Sequence, residues 1–240
     1  IHSHFAPVGW TSLKIAKALS VPHVVSFYGY DYEKLPYNQP MWIKRYCKLF
    51  QEADVFICEG RHGASILRHL GCQPEKIRII HLGVDVDQIQ FYKRVKNKDC
   101  LNLLQIATLT RKKGHIYTLA AFKNAYSVCP NMTLTIVGSD TDGIRDELEA
   151  EITKYRLQNA VKILDAIDIT MLHSFMSDYH VFIHPSCYTE DRDCEGGAPV
   201  VLLDAQATGM PVIATKHCDI PEEVVDGVTG ILTPERNVDE

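Results

Sequence analysis

A glycine-rich stretch with an acidic residue at each end is the segment of this chain best suited to binding a sugar phosphate. It begins Glu195-Gly196-Gly197-Ala198-Pro199 and continues through apolar residues to Asp204. Two glycines allow a tight turn with close backbone approach, and Pro199 suits the first turn of a helix. The N–H groups at a helix start favour phosphate, and carboxylates accept hydrogen bonds from sugar hydroxyls. Taken alone, however, the pattern favours an ordinary strand–turn–helix connection.

A basic turn is the second candidate. Thr108-Leu109-Thr110-Arg111-Lys112-Lys113-Gly114 directly follows an apolar run at residues 103–107. A turn at the end of a parallel strand is where such sheets place their ligands. Its three basic residues would neutralise a diphosphate leaving group. The commoner role of three adjacent basic residues is a solvated surface turn, and this segment alone does not decide between the two.

Short apolar runs alternate with helical patterns along the whole chain, which predicts an α/β fold with parallel sheets covered on both faces. Residues 88–100 are polar and carry four Lys or Arg. We interpret them as a hinge between domains at residues 1–94 and 95–240, with an ordinary surface loop as the alternative. Strands are predicted at 24–27, 55–58, 77–80, 103–107, 133–137, 161–164, 181–184 and 211–214, and helices at 42–50, 64–70, 116–126, 144–155, 171–176 and 200–207.

Composition narrows the class of protein. The 240 residues are 46% hydrophobic and 23% charged, with a net charge of -5. A mildly acidic chain lacks the basic footprint of a nucleic-acid-binding protein. Eight cysteines occur without a Cys-x-x-Cys pair, which favours free thiols in a reducing, cytoplasmic compartment. No apolar run approaches the roughly 20 residues that span a bilayer.

The sequence offers weak signals for a metal. Three Asp-x-Asp repeats in one chain indicate chance rather than a metal signature. His2 and His4 alternate on a strand-like run, but no third ligand accompanies them, so we expect polar core histidines. We therefore predict no metal. The repeats are Asp85/Asp87, Asp140/Asp142 and Asp191/Asp193.

The two candidate segments belong to an ordered series of motifs that resembles glycosyltransferase family 4, the group 1 retaining glycosyltransferases of the GT-B fold. The resemblance covers nearly the whole chain, and the order is more specific than any single motif. In the first half it is carried by residues 1–5, 26–31 and 79–85. In the second half it is carried by residues 108–114, Val137-Gly138, His184-Pro185-Ser186, residues 195–204, 209–215, Ile220-Pro221-Glu222 and residues 226–230.

The resemblance implies two Rossmann-like domains whose parallel sheets face a cleft. Residues 1–94 would be the acceptor-side domain, and residues 95–240 would bind the nucleotide sugar. The first strand and glycine loop of the family's N-terminal domain have no counterpart here, nor has its final helix after Glu240. We therefore expect the chain to be truncated at both ends.

The resemblance also implies a role for each candidate residue. Lys113 would contact the donor diphosphate and Glu195 the donor sugar, and these two are the predicted catalytic residues. Asp204 would hold the ribose hydroxyls. Further donor contacts are expected from Thr108, Arg111, Gly138, Gly196, Gly197, Ala198 and Pro199.

Three positions depart from the family pattern. Thr108 stands where an Arg is usual, so Arg111 is expected to substitute. Asp204 lies nine residues after Glu195, where the family has Glu at eight, which implies one extra loop residue. Tyr28 stands where many relatives have a His close to the reacting sugar.

The predicted activity is metal-independent retaining transfer of a hexose from a UDP- or GDP-sugar, with the donor as a substrate and no cofactor. The acceptor would be a growing polysaccharide or a lipid-linked saccharide, with peripheral contact at the inner face of the membrane. Two alternatives stay open. One is another sugar-nucleotide enzyme of the epimerase kind, and the other is a non-catalytic module that binds a nucleotide sugar.

Overall fold

The computed structural model describes residues 1–94 and 100–239. The predicted hinge at 88–100 therefore falls partly outside the described residues. The helices and strands follow one another in the order β1 (His2–His4), α1 (Ala6–Leu19), β2 (Val24–Ser26), α2 (Lys34–Asn38), α3 (Met41–Glu52), β3 (Val55–Cys58), α4 (Arg61–His69), β4 (Ile77–Ile79), β5 (Leu101–Ile106), α5 (His115–Val128), β6 (Met132–Val137), α6 (Arg145–Lys154), β7 (Val161–Leu164), α7 (Leu172–Met176), β8 (Val181–His184), α8 (Val200–Ala207), β9 (Val212–Thr215), α9 (Ile220–Glu223) and β10 (Gly230–Thr233).

These elements form two compact units. The first contains residues 1–82, 188–198 and 218–222, and the second contains residues 83–187, 199–217 and 223–240. Each unit is built on its own parallel sheet. The two units are not continuous in sequence, because residues 188–198 and 218–222 belong to the first unit. The predicted division of the sequence between residues 94 and 95 stays a prediction.

The sheet of the first unit has the strand order β1-β2-β3-β4. Its core is aromatic. Helix α3 begins after Pro40 and places Tyr46 and Phe50 on one face, at the helical spacing that the sequence shows. Their rings pack with Phe27 and Phe56 at centroid distances of 5.0–6.2 Å. All four side chains are buried, so α3 is fixed against the strands by large apolar surfaces.

The sheet of the second unit has the order β10-β9-β8-β5-β6-β7. The chain builds outward from β5 to β7 on one side and then returns to build β8 to β10 on the other. The strand order therefore reverses between β5 and β8. In open parallel sheets a ligand binds outside the carboxyl ends of the strands at such a reversal. The turns after β5 and β8 are thus the positions of interest in this unit.

One expectation about the N-terminal residues is wrong, and one helix there was not predicted. His2 and His4 are exposed, and Ser3 is the buried residue of β1, so the two histidines are not core residues. Their side chains contact the next strand instead, with His2 Nε2 lying 2.8 Å from Ser26 Oγ. Helix α1 was not anticipated, because its buried face consists mainly of small residues such as Gly9 and Ala16.

No helix in the described part of the chain is both long enough and apolar enough to cross a membrane.

Candidate functional site

The basic turn lies directly after β5, at the strand-order reversal of the second unit. Arg111–Lys113 form a short 3-10 turn, and Gly114 follows with φ of 68°. A Cβ atom at Gly114 would lie 2.0 Å from the carbonyl oxygen of Pro185, the residue that follows β8. The turn after β5 is therefore packed backbone to backbone against the turn after β8, and glycine is required there.

Further main-chain atoms fix this turn. The buried side chain of Gln105 donates a hydrogen bond to the carbonyl oxygen of Lys113 at 2.9 Å. The N–H of Cys187 donates to the carbonyl oxygen of Lys112 at 2.9 Å. Helix α5 begins at the next residue after Gly114. The half-buried Lys113 side chain therefore starts from a fixed backbone, beside the positive end of a helix dipole.

Thr108 and Gly138 are neighbours at the same edge of this sheet. A Cβ atom at Gly138 would lie 1.9 Å from the carbonyl oxygen of Ala107, so the turns after β5 and β6 also touch through their backbones. The carbonyl oxygen of Thr108 accepts a hydrogen bond from Nε2 of the buried His115 at 3.0 Å. The predicted donor residues Thr108, Gly138 and Lys113 thus line one edge of the second unit.

Arg111 is held by acidic groups on the surface. Its Nη2 lies 2.9 Å from Glu147 Oε2, with both side chains largely exposed. Its N–H donates to Asp142 Oδ2 at 3.3 Å. An exposed ion pair of this kind is weak, so Arg111 could exchange Glu147 for a phosphate at little cost. Its predicted substitution for the usual Arg at position 108 stays a prediction.

Helix α8 carries Asp204 and begins after Pro199. Pro199 is the residue that caps the helix rather than a member of its first turn. Asp204 Oδ1 lies 2.8 Å from His173 Nε2, and the two side chains are 13% and 31% exposed. This histidine comes from α7 and fixes one oxygen of the carboxylate. No sequence pattern pointed to it, because α7 and α8 are brought together only by the fold.

The remaining candidate residues lie in the first unit. Glu195, Gly196, Gly197 and Ala198 belong to the segment 188–198, which packs with residues 1–82. Gly29 and Gly196 have φ of 88° and 84°. A Cβ atom at Gly29 would lie 2.5 Å from Gly196 Cα, so the two glycines meet back to back. The turn after β2 and the turn that bears Glu195 therefore depend on each other.

Ionisable side chains surround the Glu195 turn. Glu59, which follows β3, occupies the space beside Gly197, where an added Cβ would lie 1.8 Å from Glu59 Oε2. Burial, followed by the charges of Asp219, Glu195 and Asp31, raises the pKa of Glu59 to about 7. The phenol of Tyr32 donates to the carbonyl oxygen of Gly196 at 2.6 Å. The turn thus sits in an acidic and partly buried environment.

A second polar network anchors the start of this segment. Glu33 is buried, and its carboxylate accepts hydrogen bonds from Tyr188 Oη and Arg192 Nη2, both at 2.9 Å. His62 Nε2 lies 3.1 Å from the same Tyr188 oxygen. Burial alone would raise the pKa of Glu33, but the hydrogen bonds from His62, Tyr188 and Arg192 lower it overall. Glu33, as a charged carboxylate, therefore ties residues 188–192 to residues 1–82 within the first unit.

The Asp-x-Asp repeats have structural roles. Asp85 caps a 3-10 turn, and Asp140 accepts hydrogen bonds from the N–H groups at the start of α6. Asp191 and Asp193 both pair with Lys34, at 2.9 and 3.1 Å. Among residues 1–94 and 100–239, no group of three or more His, Cys, Asp or Glu side chains is arranged to hold a metal ion.

Tyr28 lies where β2 ends, beside the Glu195 turn. A Cβ atom at Gly196 would lie 2.8 Å from the Tyr28 carbonyl carbon. The Tyr28 hydroxyl is hydrogen-bonded to His4 Nδ1 at 2.5 Å. An imidazole therefore remains next to this position, supplied by β1, although the residue itself is Tyr.

Two family models match the chain. The model described as "Glycosyltransferase Family 4" matches residues 1–88, and the model described as "Glycosyl transferases group 1" matches residues 86–240. The putative colanic acid biosynthesis glycosyltransferase WcaL of Salmonella typhimurium is 30% identical over 98% of the chain. The chain spans 57% of that relative's length.

Solved structures share the fold. The sucrose-phosphate synthase of Thermosynechococcus elongatus superposes with a TM-score of 0.82 at 21% identity, over 99% of this chain and 61% of that one. Anabaena Alr3699/HepE in complex with UDP superposes with a TM-score of 0.79 at 20% identity, over 98% of this chain and 65% of that one. The predicted α/β fold class, with two Rossmann-like domains of the GT-B type, is confirmed.

Proposed function

Because the chain belongs to the group 1 glycosyltransferases, we propose that it transfers a sugar from a nucleotide sugar to a saccharide, with retention of configuration and without a metal ion. The chain spans little more than half the length of the curated relative that it matches, so the activity of the whole relative enters here only as a proposal. The epimerase-type enzyme and the non-catalytic module would also bind a nucleotide sugar. They differ from the proposed transferase in what is formed from it.

The position of Lys113 is the observation that carries the proposal. It lies after β5, at the strand-order reversal of the second sheet, and the Gly114–Pro185 approach fixes its backbone. A lysine at this position stabilises the negative charge that develops on a leaving diphosphate. The amino ends of α5 and α8, which follow the turns after β5 and β8, add the partial positive charge of their helix dipoles.

The two carboxylates have separate roles in this proposal. Asp204 accepts hydrogen bonds from the ribose hydroxyls, and His173 holds one of its oxygens in place. Glu195 is half-buried and lies shortly after residues 188–192, which are held by hydrogen bonds to Glu33. Its carboxylate binds hydroxyls of the donor sugar. The Gly196–Pro199 backbone binds the sugar and the phosphate.

We favour a front-face substitution. The bond between the anomeric carbon and the diphosphate oxygen breaks while the acceptor hydroxyl attacks from the same side. The acceptor proton passes to the departing phosphate oxygen. This route retains configuration and needs no carboxylate nucleophile.

A uridine nucleotide is the donor that we favour, and GDP-sugars are the second choice. The complex of Anabaena Alr3699/HepE with UDP supports the uridine form, since that protein shares the fold. The name of the Salmonella relative supports a polysaccharide or its lipid-linked precursor as the acceptor. Such an acceptor would bring the protein to the cytoplasmic face of a membrane.

The test begins with thermal-shift measurements against UDP-, GDP- and ADP-sugars and continues with proton NMR of the product. We expect one nucleotide class to stabilise the protein and the new glycosidic bond to keep the donor's anomeric configuration. An inverted product would contradict the front-face route. A sugar nucleotide that is isomerised without transfer would identify the epimerase alternative, and binding without any turnover would favour the non-catalytic module.

A further inference from the structure

Two cysteine thiols lie side by side next to the Glu195 turn. Cys194 directly precedes Glu195 and is fully buried, and Cys218 shortly precedes α9 and is half-buried. Both belong to the first unit, although a helix and a strand separate them in the sequence. Their side chains are hydrogen-bonded to each other. The proposed transfer uses neither sulfur, so this pair of thiols has no role assigned so far.

The backbones that carry the two cysteines also contact each other. The N–H of Gly196 donates a hydrogen bond to the Cys218 sulfur. One residue further along, the N–H of Asp219 donates to the carbonyl oxygen of Gly197 at 3.2 Å. The contact between the two sulfurs is therefore supported by neighbouring hydrogen bonds of the main chain, and does not depend on side-chain rotation alone.

The surroundings of the pair favour a disulfide over a metal site or a reactive nucleophile. No third His, Cys, Asp or Glu side chain in the described part of the chain completes a metal site with these two sulfurs. The hydrogen bond with Cys194 and burial raise the pKa of the Cys218 thiol. A thiol with a raised pKa reacts slowly at neutral pH, so Cys218 is not a poised nucleophile. Two thiols in contact nevertheless have a high effective concentration for each other, which favours their disulfide once an oxidant reaches Cys218.

We infer that Cys194 and Cys218 form a reversible disulfide that locks the Glu195 turn. The oxidant is a small-molecule disulfide such as oxidised glutathione. The Cys218 thiolate attacks one of its sulfurs, which forms a mixed disulfide and releases one glutathione, and the Cys194 sulfur then displaces the second glutathione. The two cysteines lose two protons and two electrons, and the oxidant becomes two glutathione thiols.

The disulfide changes the turn because it moves the residue beside Glu195. Bonded sulfur atoms lie about 2 Å apart, which is closer than two thiols joined by a hydrogen bond. Closing this gap displaces Cys194 and alters the hydrogen bond from Gly196 to the Cys218 sulfur. A displacement of about 1 Å near a reacting centre can lower a rate by about a hundredfold. The effect on transfer rests on the proposed role of Glu195, whereas formation of the disulfide does not.

The experiment treats the 240-residue chain with oxidised glutathione at about pH 8, where more of a thiol is ionised than at pH 7. The remaining thiols are then alkylated, and the protein is digested with trypsin. Cleavage after Arg192, Lys216 and Arg236 leaves one cysteine in each of the peptides 193–216 and 217–236. We expect these two peptides to be joined, and to separate on reduction. In the oxidised protein, amide hydrogen exchange of residues 195–198 should slow and turnover should fall at least about tenfold.

The variants identify which thiols respond. Cys194→Ser and Cys218→Ser should each abolish the joined peptides and the response of turnover to the oxidant. Cys47→Ser/Cys129→Ser, which changes two exposed cysteines, is the matched control and should respond like the wild type.

Absence of the joined peptides, or joined peptides with unchanged hydrogen exchange, would overturn the inference. An equal loss of turnover in oxidised Cys218→Ser would also overturn it, since another thiol would then be responsible. A protein that forms the disulfide and slows exchange, but whose transfer is absent or insensitive to the oxidant, would contradict the proposed role of Glu195 and leave this inference standing.

Discussion

The Lys113 turn and the Glu195 turn are held in place by different kinds of group. The Lys113 turn is fixed by main-chain contacts and a neutral amide, through Gly114, Pro185 and Gln105. The Glu195 turn has one glycine contact of the same kind and is otherwise surrounded by carboxylates and their partners. The charged contacts of the first turn, from Arg111 to Glu147 and Asp142, lie on the exposed surface, so its geometry should depend little on pH and salt. The geometry of the second should depend on the protonation of its neighbours.

The largest effect is expected from Gly114→Ala. The new Cβ meets the Pro185 carbonyl at 2.0 Å in a backbone conformation with φ of 68°. We expect a loss of about 2–4 kcal/mol in the free energy of unfolding, measured by urea denaturation. Gly143→Ala is the matched control, because Gly143 has φ of 69° with open space around it and should lose only about 1 kcal/mol. Equal losses would show that the contact with Pro185 does not constrain the turn.

Lys113→Ala tests whether this rigid turn presents its charge to a ligand. Loss of a charged hydrogen bond to phosphate should weaken UDP or GDP binding by roughly 1.5–3 kcal/mol in calorimetry. Lys123→Ala, an exposed lysine of α5, is the control and should bind nucleotide like the wild type. Unchanged affinity with an intact fold would remove Lys113 from the donor site.

Glu33→Gln tests the charged anchor of the Glu195 turn. The variant keeps the size of the side chain and loses the charge that Tyr188 and Arg192 contact. We expect a loss of about 1–2 kcal/mol in the free energy of unfolding at pH 7. The pKa of Glu33 is lowered in the folded protein, so its contribution is present above the ordinary carboxyl pKa and is lost as the pH falls through the lowered value. A difference between variant and wild type that persists in strong acid would contradict this origin.

The smallest expected effect is a change in how steeply the free energy of unfolding depends on pH. The pKa of Glu59 is raised to about 7, so the stability that its bound proton provides is full below the ordinary carboxyl pKa and is lost as the pH rises through 7. Glu59→Gln should therefore flatten the fall in unfolding free energy between pH 5 and pH 8 by on the order of 1 kcal/mol. Glu149→Gln, an exposed residue of α6, should leave the slope as it is. An unchanged slope in Glu59→Gln would show that Glu59 is ionised like a surface carboxylate.

The sequence predicted the regular parts of the fold well where periodicity was strong. Strands β3, β7 and β8 and helix α8 have the predicted bounds, because apolar runs between turn signals mark them clearly. Helix α1 and strand β10 were not predicted, because α1 buries mainly small residues and β10 is a short run.

The candidate site shows a similar limit. Local motifs pointed to Lys113, Glu195 and Asp204, because each lies in a turn or helix with a recognisable pattern. Their partners Glu59 and His173 come from other elements and carry no local signal. Long-range contacts of this kind follow from packing, which one sequence does not display.

The most direct test of the proposed donor site is a calorimetric comparison of Glu195→Gln and Asp204→Asn. Each protein is titrated with free UDP and with a UDP-sugar, and turnover is measured in parallel. We predict that Glu195→Gln lowers turnover and hardly changes the affinity for free UDP, which carries no sugar, whereas Asp204→Asn weakens both ligands alike. If Glu195→Gln weakens free UDP as much as the UDP-sugar, then Glu195 serves the nucleotide or the structure of its turn, and the assignment of the two carboxylates is wrong.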